Sequence, residues 1–212
     1  MRFAAAMIIA DGLTEAGRTL QRTTTENDDA TRRGLATIAV MAGQTGAAAA
    51  RLYAEQLWYA GAALTRQLVE HHHLFVYFAQ APSNVVAWLD ADEALLRRRF
   101  SPAKLREAGG FTRVDYQAHC IWGGHPNPAG MWLVTEDSPD LRNRLLILDL
   151  VQHLTFIYVA LVGCLGQDAA NALPGMVKAY NFILKWRKAD PLANGLPVGA
   201  DAQLGAMPET DQ

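Results

Sequence analysis

Cysteine is scarce in this chain: Cys120 and Cys164 are its only two, and no C-x-x-C spacing joins them. That leaves no disulfide framework and no thiolate zinc motif. Both lie in apolar surroundings and read as buried thiols of a reducing compartment. Excess charge is lacking too, with 19 basic against 21 acidic residues and a formal net charge of −2. A general binder of nucleic acid or anionic membrane would carry a basic surplus, so nucleic acid is not expected as a partner. Alternating strand pattern and internal repeats are also missing. The most apolar run, Leu145–Leu165, is interrupted by Asp149, Gln152 and His153. It keeps about twelve clean residues where a membrane span needs about 20, and reads as a buried core helix. The opening MRFAAAMIIADG has neither the charged region nor the cleavage site of a signal peptide. A cytoplasmic protein with no membrane partner is the expectation.

What is present is helix-forming sequence cut by capping residues, prolines and glycine pairs. The stretch Ala47–Gln80 contains no proline and one glycine, Gly61. It predicts one central helix about 50 Å long. Before it, residues 2–22 predict a first helix, the run Thr23–Asp29 a turn, and a second helix reaches about Met41, with a bend at Gly43 and Gly46. Ala81-Pro82 ends the central helix. A helix from Ser83 to Phe100, a restart at Ser101-Pro102, and a helix from Thr112 to Trp122 follow, closed by Gly123-Gly124. The stiff loop His125-Pro126-Asn127-Pro128 comes next. Ser138-Pro139 opens a helix to about Gly163, and Pro174–Lys188 forms the last. The fold class is all-α, an antiparallel bundle of long helices with short connecting helices. Residues 1–188 form one domain and 189–212 a flexible tail.

Three histidines have a carboxylate one helical turn before them: Glu70 with His73, Asp115 with His119, and Asp149 with His153. Residues so spaced share a helix face and can orient an imidazole or ligate a metal. A di-iron centre needs a second Glu-x-x-His, which this sequence does not contain. Consecutive helical residues point about 100° apart, so His71-His72-His73 cannot all serve one ion, and His73, in line with Glu70 and Tyr77, is the choice. The dense basic cluster Arg97-Arg98-Arg99 with Lys104 and Arg106 reads as a solvated helix face.

Two resemblances bear on function. Arg113 with five residues before His119 resembles the signature of the HEPN helical ribonucleases. That resemblance implies an RNA 2′-hydroxyl activated by His119, with Arg113 on the phosphate, in a homodimer. More broadly, Arg51-x3-Glu55, then Trp88, Phe100-Ser101-Pro102-x2-Leu105-Arg106, Tyr116 and His125-Pro126-Asn127-Pro128 resemble a family of uncharacterised bacterial helical proteins, a domain of unknown function. Where members carry a serine a few residues before the His-Pro, this chain has His119-Cys120. The resemblance implies that Arg51, Glu55, Tyr116 and His125 belong together, and it supplies no activity.

A polar pocket between helices, lined by Glu55, Glu70, His73, Tyr116, His119 and His125, is the expected site. Glu55 and His73 lie about 27 Å apart along one helix, so two subclusters are expected rather than one. The preferred one is Arg51, Glu55, Tyr116, His119 and His125, open to a small molecule or a metal ion. Glu70 and His73 would then be structural. A purely structural interaction module is the third reading.

Overall fold

A computed structural model describes residues 1–24, 30–124, 126, 128–135 and 139–192. Every element among the described residues is helical. The long helices are α1 (Arg2–Thr23), α2 (Ala30–Ala54), α3 (Trp58–Gln80), α8 (Pro139–Leu165) and α10 (Pro174–Ala189). The short ones are α4 (Ser83–Leu89), α5 (Glu93–Arg99), α6 (Pro102–Ala108), α7 (Arg113–His119) and α9 (Gln167–Asn171). A π-helical turn, Cys120–Gly124, continues α7, and a 3-10 turn spans Pro128–Leu133.

Small residues set how closely these helices approach. The buried face of α1 is Ala5, Ala6, Ile9, Ala10, Gly12, Leu13, Ala16, Gly17 and Leu20. Gly12 meets Gly175 of α10 so closely that a Cβ on either would lie 2.5 Å from the other's carbonyl oxygen. Contacts run Gly12 to Gly175 and Arg2 to Asp190, so α1 and α10 are antiparallel. Gly17 touches Ala36 and Val40 while Gly43 touches Ala10 and Thr14, which makes α1 and α2 antiparallel as well. α8 lies against α1, α2 and α3. Its residues Leu150, Val151, Leu154, Ile157, Tyr158 and Leu161 are all fully buried. Among the described residues α8 is the helix long and apolar enough to cross a membrane, over Arg144–Leu165, and 56% of its apolar window is buried.

Two expected helices are divided differently. α2 continues without a break through Gly43 and Gly46, the expected place of a bend. They serve as contact points, Gly43 on Thr14 and Gly46 on Leu154. The single helix expected over Ala47–Gln80 instead breaks at Glu55–Leu57, where Gln56 takes φ 61°. That left-handed residue is unfavourable for anything but glycine. The corner is held by Tyr53, fully buried, whose ring lies under Gly61 and stacks on Trp58, and whose Oη bonds Thr65 Oγ1 at 2.9 Å. Burying two large aromatics outweighs about 1–3 kcal/mol of backbone strain. The helix expected from Ser83 to Phe100 also splits, since the Asp92 carboxylate accepts from the Leu95 amide at 2.7 Å and caps a new start.

The last helix ends at Ala189, but the packed body continues past it. Asp190 is 4% exposed and accepts from Arg2 Nη2 at 2.8 Å and Trp186 Nε1 at 3.1 Å. Most of the expected tail, 193–212, lies outside the described residues, as do most of the Thr23–Asp29 turn and Ser138.

Candidate metal centre

His119 ends α7 at its junction with the π-helical turn, a distortion often found at functional sites. Gly123 fixes this turn against α3: a Cβ there would fall 2.4 Å from the Ala63 nitrogen. His119 is thereby carried inward onto α8, where Asp149 and His153 share a face one turn apart.

The three side chains converge through ligand-capable atoms. His119 Nε2 lies 3.1 Å from His153 Nε2 and 3.3 Å from Asp149 Oδ1. His153 Nε2 is 3.4 Å from that same oxygen. A tetrahedral ion with bonds of about 2.0–2.1 Å holds neighbouring ligand atoms about 3.3 Å apart, which is the size of this triangle. His119 and His153 side chains are 9% and 12% exposed, and Asp149 is 26% exposed.

Hydrogen bonding alone does not satisfy this arrangement. Burial would raise the Asp149 carboxyl, but His153 and His119 outweigh it and hold the group well below the usual carboxylate range. With Asp149 ionised, protons on both Nε2 atoms bond the carboxylate twice and set two N–H groups against each other. One proton alone leaves the other imidazole's lone pair facing the carboxylate. Each protonation state therefore keeps at least one repulsive edge, which a cation at the centre would remove. His153 Nδ1 is buried with no hydrogen-bond partner among the described residues, so the orienting acceptor common behind metal-bound histidines is not supplied by them.

An aromatic shell surrounds the cluster. His72 stacks on Phe156 at 5.2 Å between centroids and lies 6.4 Å from His153. His73 stacks on Phe111 at 4.1 Å. Burial, then the neighbouring His153 and His73, push His72 well below its ordinary pKa and keep it neutral. The histidine triplet is split across α3. His72 faces the metal-capable cluster, His73 lies against Phe111 and Tyr116, and His71 lines a separate cavity.

The expected site residues are dispersed. Arg51 and Glu55 are both exposed at the end of α2, and among the described residues neither forms an ion pair. The expected interior pair is absent because the break at Glu55–Leu57 turns that end toward solvent. His125 lies outside the described residues. Tyr116 is half-buried, donating to Glu70 Oε1 at 2.7 Å and accepting from Arg66 Nη1 at 3.2 Å. His119 is interior and meets Asp149 of α8, while the Asp115 side chain lies outside the described ones. Asp149 and His153 were legible as a spaced pair within the most apolar run, yet stood outside the preferred group. Ionisable groups in such a run are costly unless matched, and that was the available signal.

Arg113 is exposed at the opposite end of α7 from His119. The basic cluster is only partly a solvated face: Arg97 pairs with Glu93 and Lys104 with Glu107, but Arg99 reaches inward to Tyr77 Oη at 2.8 Å and Asn84 Oδ1 at 2.7 Å. Both cysteines are free and half-buried, and burial pushes the Cys164 thiol up to about 12.

No protein-family model, curated protein or solved structure matches this chain.

Proposed function

We propose that this chain binds a divalent transition-metal ion through His119, Asp149 and His153, and presents it with an exchangeable position for water or a small ligand. The observation that carries the reading is the triangle of two Nε2 atoms and one carboxylate oxygen at 3.1–3.4 Å. Two imidazoles and a carboxylate suit zinc or ferrous iron, while calcium and magnesium prefer all-oxygen shells. Structural zinc sites close their shell with four protein ligands, whereas three leave a position open. The ion would act there as a Lewis acid, and Asp149, already held ionised, would supply the anionic ligand without losing a proton. Two free cysteines agree with a reducing, cytoplasmic setting.

The test is metal analysis and calorimetry on protein purified without a histidine tag and stripped with chelator. Zinc or ferrous iron is expected to bind at about one ion per chain, and His119→Ala and His153→Ala to lose it at least 100-fold. Binding that survives both substitutions, or no binding by the folded wild-type chain, overturns the reading. The ribonuclease alternative gains nothing from Arg113, which stands exposed away from His119.

A further inference from the structure

On the other side of α3 from the metal-capable cluster, a cavity of about 380 Å³ opens between α2, α3 and the α4–α6 segment. That volume is in the range of small-molecule sites. Its walls are mainly apolar, with Ile38, Leu74, Trp88 and Phe100 among them. One end is polar and is built around Arg66.

Arg66 uses one of its nitrogens, Nη1, on Glu70 and on the Tyr116 hydroxyl. Its Nε is buried and has no hydrogen-bond partner among the described residues. In a guanidinium the Nε side is one of the edges that matches a carboxylate, two parallel N–H donors against two oxygens. The surrounding charge favours an anion. Arg106 lies 5.7 Å from the ring of Tyr116, whose hydroxyl accepts from Arg66. The guanidinium groups of Arg66 and Arg106 thus attend this end, against the carboxylate of Glu70, which already accepts from both Arg66 and Tyr116.

We infer that this cavity is a binding site for a small monocarboxylic acid with an apolar body, its carboxylate on Arg66 and its body between Trp88, Phe100 and Leu74. The site is separate from the metal-capable cluster and does not rest on metal binding. The two are neighbours all the same, because Tyr116, bonded to Arg66 and Glu70, precedes His119 by one turn of α7.

Octanoate, 4-phenylbutyrate and indole-3-acetate, each beside its neutral amide, are titrated into chelator-stripped wild-type protein and followed by amide chemical shifts. At least one acid is expected to saturate with Kd below about 1 mM. Its amide should bind at least five-fold more weakly, and the largest shifts should fall at Thr45, Gln67 and His71. Arg66→Gln is expected to weaken the acid at least ten-fold. That change also disturbs Glu70 and Tyr116, so Leu96→Trp is the second variant. Leu96 is a partly exposed wall residue on α5, a helix with no buried residue, and the larger ring fills the cavity with little demand on the fold. Loss of binding in folded Leu96→Trp supports the site. Failure of all three acids to bind, an amide equal to its acid, or binding untouched by Leu96→Trp overturns it. None of these outcomes depends on whether the metal titration succeeds.

Discussion

Asp149 and Asp190 are both carboxylates drawn into the body of the protein, and they are answered in opposite ways. Asp190 receives Arg2 Nε and Nη2, the Trp186 indole N–H and the Leu192 amide, all from groups that are fixed donors. Each contact is attractive at any pH where the carboxylate is ionised. Asp149 instead meets two imidazoles whose nitrogens also face each other, and one edge of that triangle is repulsive in each protonation state. The first arrangement is what a structural ion pair looks like, joining the start of α1 to the end of α10. The second keeps a repulsive edge that the proposed cation would remove, and this difference, more than burial or charge, is what favours reading it as a site and not a staple.

The comparison breaks most readily on metal-dependent stability. At a metal concentration 100-fold above Kd, a ligand that binds only the folded state adds about 2.7 kcal/mol. For a chain of this size that raises the melting temperature by roughly 5–10 °C. His119→Ala and His153→Ala should abolish the rise, whereas Asp190→Asn should leave it intact. A scanning-calorimetry series with and without zinc reads this directly. A rise that Asp190→Asn removes and His153→Ala spares would exchange the two assignments.

Next in size is the staple itself. The hydrogen bond from Arg2, aided by Leu192 and Trp186 against the opposing effect of burial, lowers the Asp190 carboxyl from its ordinary 3.8 to about 2. That difference is worth roughly 2 kcal/mol. Because the folded value is the depressed one, the contribution is fully present above about pH 4 and is lost as the pH falls toward 2. Asp190→Asn should cost about 2 kcal/mol in urea unfolding at pH 7, and the cost should shrink on acidification to pH 2. An equal loss at both pH values would show that the residue acts through packing and not through charge.

How much of this was legible in the sequence depends on how far apart the interacting residues lie. Caps and prolines marked α1, α6, α8 and α10 to within a few residues, since those signals are local. The corner at Gln56 left no local mark, because Glu55, Gln56 and Leu57 are ordinary helix residues. It is imposed by Tyr53 reaching Thr65, twelve residues on. The same limit applies to the site. Asp149 and His153 are one turn apart and stood out as a pair. By spacing His119 pairs with Asp115 on its own helix, and only the docking of α7 on α8 brings it to Asp149, thirty residues away. Glu70 likewise faced His73 in sequence, yet its bonds go to Arg66 and Tyr116.

The smallest expected effect is the most discriminating one, and it concerns Asp149→Asn in protein stripped of metal. Removing one member of a satisfied buried ion pair ordinarily costs several kcal/mol, because the partner's charge is left alone. Here the asparagine repairs the triangle. Its carbonyl accepts from His119 Nε2–H, its amide donates to His153 Nε2, and the single proton still bridges the two imidazoles. All three edges are then bonded with neutral groups, so the variant should lie within about 1 kcal/mol of the wild type, on either side. With zinc present the order reverses, since the amide is a poor ligand and the wild type alone gains the metal's stabilisation. Paired urea melts with chelator and with zinc measure both halves at once. A loss of about 2 kcal/mol or more in chelator would mean that Asp149 is a satisfied structural carboxylate like Asp190, and the contrast on which the metal assignment stands would be gone.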